Sequence, residues 1–373
     1  MTLSDDVERF VRDIVSPAVD EWDRTDDLPA TAVAQLVSLG LTGALVPHEY
    51  GGPGLGVADL VPSWRALSRG WISLTGAVNP TCLATTLLVR HGTESQRERW
   101  LPQIARGECV ASFSITEPQA GSDIGRIETS ARPLDHGGGL VLDGEKRWVA
   151  GGLSADVVFM LAELDDQPAC VILPADGRGS ASWRVEELDK VGYRGVESAA
   201  YAFESHEAPG AEVLGGAEDG IGGGVRFMLD ALDVGRVNVA CRALGIIDRA
   251  IACAVEECTT RAVGDGLLGD HTHAQLRVGE MLAWRAAVEA LTERAAHAVD
   301  ARDDSARELS TAAKVSASDT AVWAVDRAAR LAASRSYAAG DELARLRRDA
   351  PQTQIGEGAN DALLLALARP LLE

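Results

Sequence analysis

Aromatic residues are scarce in this chain of 373 residues: 5%, within an apolar content of 46%. With alanine and leucine supplying most of the apolar mass, the composition favours packed helices over a sheet-dominated fold. Positive charge is scarce too. Lys+Arg number 35 against 56 Asp+Glu, a formal net charge of −21. That field repels nucleic acid and anionic membrane, so neither is an expected partner, and a polyanionic ligand needs a local basic pocket. The six cysteines, Cys82, Cys109, Cys170, Cys241, Cys253 and Cys258, show no CxxC or Cys/His spacing. They read as buried thiols in a reducing cytosol, and no metal site is expected. No basic-then-apolar segment at the N-terminus signals export. The uncharged run Trp71–Val89 carries Asn79, Pro80 and several threonines, unlike a membrane span. The expectation is a cytoplasmic protein.

The chain changes texture twice. Residues 1–107 read as a helical domain: Val7, Phe10, Val11 and Ile14 recur at helical spacing, as do Val33, Leu36, Val37 and Leu41. Thr93-Glu-Ser-Gln96 predicts a capping box opening a helix that ends near Gly107. Residues 108–216 carry short β-leaning runs, Val110–Ser114, Leu140–Leu142, Val157–Leu161, Cys170–Leu173, Trp183–Glu187 and Ala200–Phe203, between turns rich in Gly, Asp and Pro. A small antiparallel sandwich or barrel fits that pattern. Residues 217–373 turn helical again, with long segments at 225–260, 271–300 and 303–338. In the last of these, Val315, Val322, Val325, Ala329 and Ala332 form an apolar stripe suited to a bundle seam.

Two features stand apart from this scaffold. The string Thr116-Glu-Pro-Gln-Ala-Gly-Ser-Asp123 should form a turn-rich loop leaving a strand. It is either a tight turn with Ser122 as a helix N-cap, or a cradle whose backbone N–H groups and Thr116 and Ser122 hydroxyls bind a ligand. Some 240 residues later, Glu357 stands between Gly356 and Gly358, a lone acid on flexible backbone.

The Thr116–Asp123 string resembles the signature of the acyl-CoA dehydrogenase family, and further matches follow in that family's order. Asp143-Gly144 with Lys146 and Trp148, Lys190-Val-Gly-Tyr-Arg194 with Pro209, Asp233 with Arg236 and Gly245, and Arg348-Asp349 with Ile355-Gly-Glu357-Gly358 all take part. The resemblance covers almost the whole chain. It implies a mainly helical fold with a middle β-domain and a C-terminal four-helix bundle, and FAD as cofactor. On the cofactor side it places Ser114, Ile115, Thr116, Ser122, Trp148, Val149, Ala150 and His271, with Arg261 reaching a neighbouring subunit's FAD. On the substrate side it places Ser122, Asp233, Arg236 and Gly358. Glu357 is implied as the base that removes a proton α to a thioester while a hydride passes to flavin N5. Its backbone N–H and a ribityl hydroxyl polarise the carbonyl. Some family branches carry the base just before Arg236; here that residue is Gly235, which cannot act. An acyl-CoA or acyl carrier protein substrate, an electron-transfer flavoprotein or other acceptor, and a homodimer or homotetramer are the implied partners.

The chain also departs from the family. Ala150 replaces a usual hydroxyl, Gly264 an aromatic, Arg330-Leu-Ala-Ala-Ser334 a Gln-x-x-Gly-Gly stretch, and Ala359-Asn360-Asp361 a Thr-x-Gln. Three alternatives therefore stay open beside the acyl-CoA dehydrogenase. They are oxidation of a carrier-bound hydroxyacyl group in extender-unit biosynthesis, a non-catalytic acyl- or carrier-binding protein, and an oxidase or monooxygenase on the same scaffold. His271 and His273, two apart, would point to different faces of a helix and make a poor metal pair.

Overall fold

Apolar residues at helical spacing build the N-terminal layer, and the chain adjusts its own period to do so. Helix α1 (Leu3–Phe10) passes through a π-helical turn, Val11–Val15, into α2 (Ser16–Thr25). The wider turn brings Val15 and Val19 onto the face that buries Val7, Phe10 and Val11. Ile14, expected in the core, is left 44% exposed. Next come α3 (Ala30–Ser38), α4 (Val57–Gly70), α5 (Ile72–His91) and α6 (Glu94–Ala105). Thr93 and Gln96 exchange both bonds of a capping box at the start of α6, as the sequence predicts. Helix α5 is long and apolar enough to cross a bilayer, yet 89% of its apolar window is buried within the protein, the mark of a core helix.

The structure is a computed structural model and describes residues 2–135 and 138–372. Among them eight strands form one sheet: β1 (Ala111–Ser114), β2 (Ser130–Pro133), β3 (Leu140–Ala150), β4 (Val157–Leu164), β5 (Gln167–Pro174), β6 (Trp183–Glu187), β7 (Ser198–Ala208) and β8 (Glu212–Val213). The order is β6-β7-β3-β2-β4-β5-β8, with β1 also on β4. The sheet is mixed rather than wholly antiparallel. Both β1 and β2 run parallel to β4, along successive stretches of one edge. The β2–β3 hairpin lies between β1 and β4 in the chain and serves as the crossover that a parallel pair requires. Strands β2 and β8, of four and two residues, are too short to show an alternation in sequence.

After the short helix α7 (Gly216–Gly220), the chain forms α8 (Gly224–Thr260), the hairpin β9 (Ala262–Val263) and β10 (Gly266–Leu267), then α9 (Thr272–Ala301), α10 (Ala306–Ala332), α11 (Glu342–Ile355) and α12 (Asn360–Leu372). Helix α8 is the axis of the molecule. It packs on α4 and α5 from one side and on α9, α10 and α11 from the other. The stripe on α10 is a seam: Val315, Val325, Ala329 and Ala332 are buried and Val322 partly so. All six cysteines are buried free thiols.

Helix α10 stops at Ala332, short of residue 338, because Ala333 adopts φ 51° and ψ −126°. That conformation is costly for a residue with a Cβ, of order 1–3 kcal/mol. Ala333→Gly removes the strain at a smaller cost in unfolded-chain entropy. The expected net gain is about 1 kcal/mol, read as a rise of roughly 2 °C in the melting midpoint.

Candidate active site

The turn between α11 and α12 points an acid inward. Helix α11 ends at Ile355, Glu357 takes a left-handed conformation at φ 56°, and Gly358 follows at φ 101°. These angles aim the Glu357 side chain at α5 and α8. Asn79 Nδ2 on α5 donates to Glu357 Oε1 at 2.7 Å. On α8, Gly235 lies directly under the carboxylate: a Cβ there would stand 2.9 Å from Glu357 Cδ. The position just before Arg236 and Glu357 therefore converge on one point, and only a glycine on α8 leaves room for the acid. Lys314 on α10 fixes the turn, donating to Gly358 O at 2.6 Å and to Asn360 Oδ1 at 2.7 Å. Asn360 in turn donates to Ser318 and Asp319 on α10.

Electrostatics at Glu357 are a contest. Burial raises its pKa above the ordinary carboxylate range, against the pull of Arg242, the Asn79 hydrogen bond, Arg236 and Lys314. Burial likewise drives Lys314 down to about 7, with Glu357 acting to raise it. Burial also lowers Arg236, with Asp233 opposing. Tyr193 closes the far side of the cluster: its hydroxyl accepts from Arg242 Nη1 at 3.0 Å, and its backbone N–H is held by Asp349 at 2.7 Å. Asp349, fully enclosed, is pushed up to about 6 by that burial.

Asp233 and Arg236, three apart on α8, are buried and form an ion pair at 3.0 Å. Asp233 also accepts from Arg307 and Ser310. It lines a cleft of about 410 Å³ that also presents Arg90, His91, Arg302 and Arg307. Asp230, Asp303 and Asp304 line it as well, so the cleft mixes both signs, and Arg307 is already paired with Asp230 and Asp233.

The second group of residues converges on the sheet. Strand β3 carries a bulge: Lys146 faces Tyr201 and Val149 faces Ala199, so β3 has one residue more than β7 across that interval. Within the bulge Trp148 takes φ 59° and is 56% exposed. Strand β1 and the loop after it are tied to this end of β3 at three points. Ser112 Oγ donates to Ala150 O at 2.8 Å, Arg147 N–H to Thr116 O at 2.8 Å, and Lys146 Nζ to Ile115 O at 3.1 Å. Lys146 also pairs with Glu117 at 2.5 Å, both side chains fully enclosed. Burial works against the Glu117 charge, but Lys146 and the N–H groups of Thr129 and Glu128 outweigh it and hold its pKa below the usual range. Ser114, Ile115, Thr116, Trp148, Val149 and Ala150 thus meet at one place, and Ser122 lies exposed on the same loop. The buried Ser114 hydroxyl has no partner among the described residues. An orphaned hydroxyl beside an exposed indole fits a planar heterocycle with polar edges.

Arg261 and His271 sit elsewhere, on the segment joining α8 to α9. Arg261 is exposed and donates to Leu331 O at 3.0 Å, and His271 precedes α9 with its ring 5.8 Å from that of His273. Among the described residues, no group of three His, Cys, Asp or Glu could hold a metal. The sequence alone gives no role to Asn79, Arg242 and Lys314. Their one signal is a polar side chain inside an otherwise apolar helical pattern, which burial makes costly unless it is used.

Lys146→Met strands the Glu117 carboxylate without a cation, at an expected cost of about 3–5 kcal/mol in the melting transition. Adding Glu117→Gln to that variant should recover much of the loss. Equal destabilisation of the single and double variants would show that the charge pair is not what secures the loop.

Known proteins share this order of domains. The acyl-CoA dehydrogenase N-terminal, middle and C-terminal domains match residues 1–108, 112–206 and 222–372. The chain is 28% identical to an acryloyl-CoA reductase (NADH) of Anaerotignum propionicum, covering 98% of this chain and 92% of that one. It is 29% identical to the mitochondrial short-chain specific acyl-CoA dehydrogenase of Homo sapiens, over 97% and 87%. Its fold superposes on butyryl-CoA dehydrogenase from Megasphaera elsdenii with a TM-score of 0.91 at 26% identity, over 100% and 97% of the two chains. With all three domains matched in order and the relatives spanned nearly end to end, this chain belongs to the acyl-CoA dehydrogenase family.

Proposed function

We propose that the chain is an FAD-dependent oxidoreductase that dehydrogenates an acyl thioester, with Glu357 as the base. The observation that carries this reading is the Glu357 carboxylate itself, held 2.7 Å from Asn79 over the bare backbone of Gly235. A carboxylate with its pKa raised by burial is suited to accept a proton from carbon near neutral pH. FAD, when bound, supplies the acceptor for the hydride that leaves the β-carbon. The Ser114–Asp123 loop and the Trp148 bulge would hold it, and the orphaned Ser114 hydroxyl is the polar group this chain offers there.

The thioester handle would lie in the cleft of Asp233, with Arg90 and Arg302 offered to phosphates of coenzyme A, Arg307 being paired with Asp230 and Asp233. The Asp233–Arg236 pair at its inner end keeps Arg236 turned toward Glu357, where its charge favours the ionised base. Lys314 holds the Gly358 carbonyl and so sets the angle from which Glu357 reaches the substrate. An electron-transfer flavoprotein as the oxidant, a cytoplasmic location and a homodimer or homotetramer belong to the same reading. So does a role for Arg261 and His271 at a neighbouring subunit's cofactor. The three sequence blocks, 1–107, 108–216 and 217–373, would serve as its domains.

Glu357→Gln should slow flavin reduction by substrate at least about a thousandfold while flavin stays bound, measured by anaerobic stopped-flow bleaching. Reduction at the parent rate would remove Glu357 from the mechanism. Because only the ionised carboxylate accepts a proton, the reduction rate should climb as pH rises through the raised pKa of Glu357 and level off above it. Asn79→Leu removes a donor that favours the ionised form, so the rising limb should move to higher pH. A limb that stays in place, or moves down, would show that this hydrogen bond does not tune the base.

A further inference from the structure

Arg242 on α8 is a buried guanidinium with no acid beside it. It is 2% exposed, and among the described residues no carboxylate lies within ion-pair distance of it. Its partners are neutral: Nε donates to Asn238 Oδ1 at 2.8 Å and Nη1 to the Tyr193 hydroxyl at 3.0 Å. The Tyr193 ring also faces the guanidinium, its centre 5.4 Å from Cζ. Tyr193 is firmly mounted, since its own N–H donates to Asp349 Oδ1 at 2.7 Å and that of Gly195 to Asp26 Oδ1 at 2.5 Å.

Two sets of contacts bring this guanidinium close to Glu357. Gly235 lies under the Glu357 carboxylate, and Asn238 and Arg242 follow it on α8 by three and seven residues, on the same face. Helical side chains lean toward the N-terminus of their helix, and Arg242 reaches back to Asn238, in the direction of Gly235. On α5, Asn79 donates to Glu357, while Gly76, one turn away, admits the Tyr193 hydroxyl where a Cβ would overlap it. Arg242 is accordingly the first of the cations acting on Glu357, ahead of Arg236 and Lys314. Yet among the ion pairs of the described residues none joins Arg242 to Glu357. Burial pushes the thiols of Cys82 on α5 and Cys241 on α8 up to about 12 and raises the Tyr193 hydroxyl, so these three neighbours stay neutral. Lys314 on α10, driven down to about 7, and Asp349 on α11, pushed up to about 6, titrate closer to neutrality, and neither bonds the Arg242 guanidinium.

We propose that Tyr193 and Asn238 are positioning residues whose oxygens hold the Arg242 guanidinium off Glu357, so that cation and base do not close into an ion pair. A buried cation released from neutral partners gains most by moving onto a buried anion, and Glu357 is the anion at hand. Closed on Arg242, the carboxylate would be held ionised and would lose much of its pull on a carbon-bound proton. Restrained, the same cation favours the ionised acid without occupying its oxygens. The inference rests on the reading of Glu357 as the base, and it concerns how this chain keeps that base open.

The test uses the flavin-loaded protein, bleached anaerobically by butyryl-CoA across the pH range, together with crystal structures of the variants. Tyr193→Phe removes the hydroxyl but leaves the backbone N–H on Asp349. Its Arg242 should close to ion-pair distance from Glu357, about 4 Å or less. The rising limb of its bleaching rate should move down by about 1 pH unit, and the plateau should fall about tenfold. Arg242→Met removes the cation, so the limb should move up instead. Adding Tyr193→Phe to Arg242→Met should change nothing further, because the hydroxyl acts only through the arginine. Lys314 and Asp349 are common to all the variants, so differences between limbs report Arg242. An Arg242 that keeps its parent position in the Tyr193→Phe structure overturns the proposal, whether or not butyryl-CoA bleaches the flavin or Arg242→Met folds. So does a Tyr193→Phe limb that stays in place or moves up, or a further change in the double variant. Failure of the base is a separate result. Glu357→Gln bleaching at the parent rate would remove the base, while the position of Arg242 in the Tyr193→Phe structure would still decide the restraint.

Discussion

The structure depends on holding one half-buried carboxylate among α5, α8 and α10 without locking it in one charge state. Glu357 is reached from three directions. Helix α8 supplies an empty space at Gly235, α5 supplies a hydrogen bond from Asn79, and α10 supplies a lysine that grips the following carbonyl. Arg236 and Arg242 add positive charge near the acid. Neutral groups close to the acid and cations beyond them leave its proton affinity raised but not locked.

That arrangement explains why helix α8 is the axis of the fold. It carries the missing side chain at residue 235, the buried pair of Asp233 and Arg236, and the polar face of Asn238 and Arg242, while its other sides pack against α4, α9 and α10. The sheet does a separate task. A single extra residue in β3 turns Trp148 outward, and a buried Lys146–Glu117 pair fastens the adjoining loop to that bulge. The two halves of the site are thus built by unrelated means, helix packing on one side and a sheet irregularity on the other.

Much of this was legible in the sequence. Periodicity located the long helices, and the capping box at Thr93 was readable residue by residue, because both depend on neighbours close along the chain. The motif string marked the loop, and Glu357 stood out between glycines. What sequence hid is what depends on distant contacts. The π-turn that displaces Ile14 answers to packing on α4, and the parallel pairing of β1 and β2 with β4 answers to sheet topology. Asn79 looked like an interruption of an apolar run until Glu357, 278 positions away, was found against it. The burial of Asp233 and Arg236 depends on α10, whose Ser310 and Arg307 lie against Asp233.

Gly235 has a historical implication. Because a side chain there would collide with the acid from the α11–α12 turn, residues 235 and 357 compete for one volume. A lineage that shifts its acid between α8 and the α11–α12 turn cannot do so by gaining first and losing later, since the doubly acidic ancestor is crowded and self-repelling. Nor can it lose first without passing through a form with no acid at all. Such a relocation demands paired substitution, so the two placements should persist as separate branches with few intermediates between them.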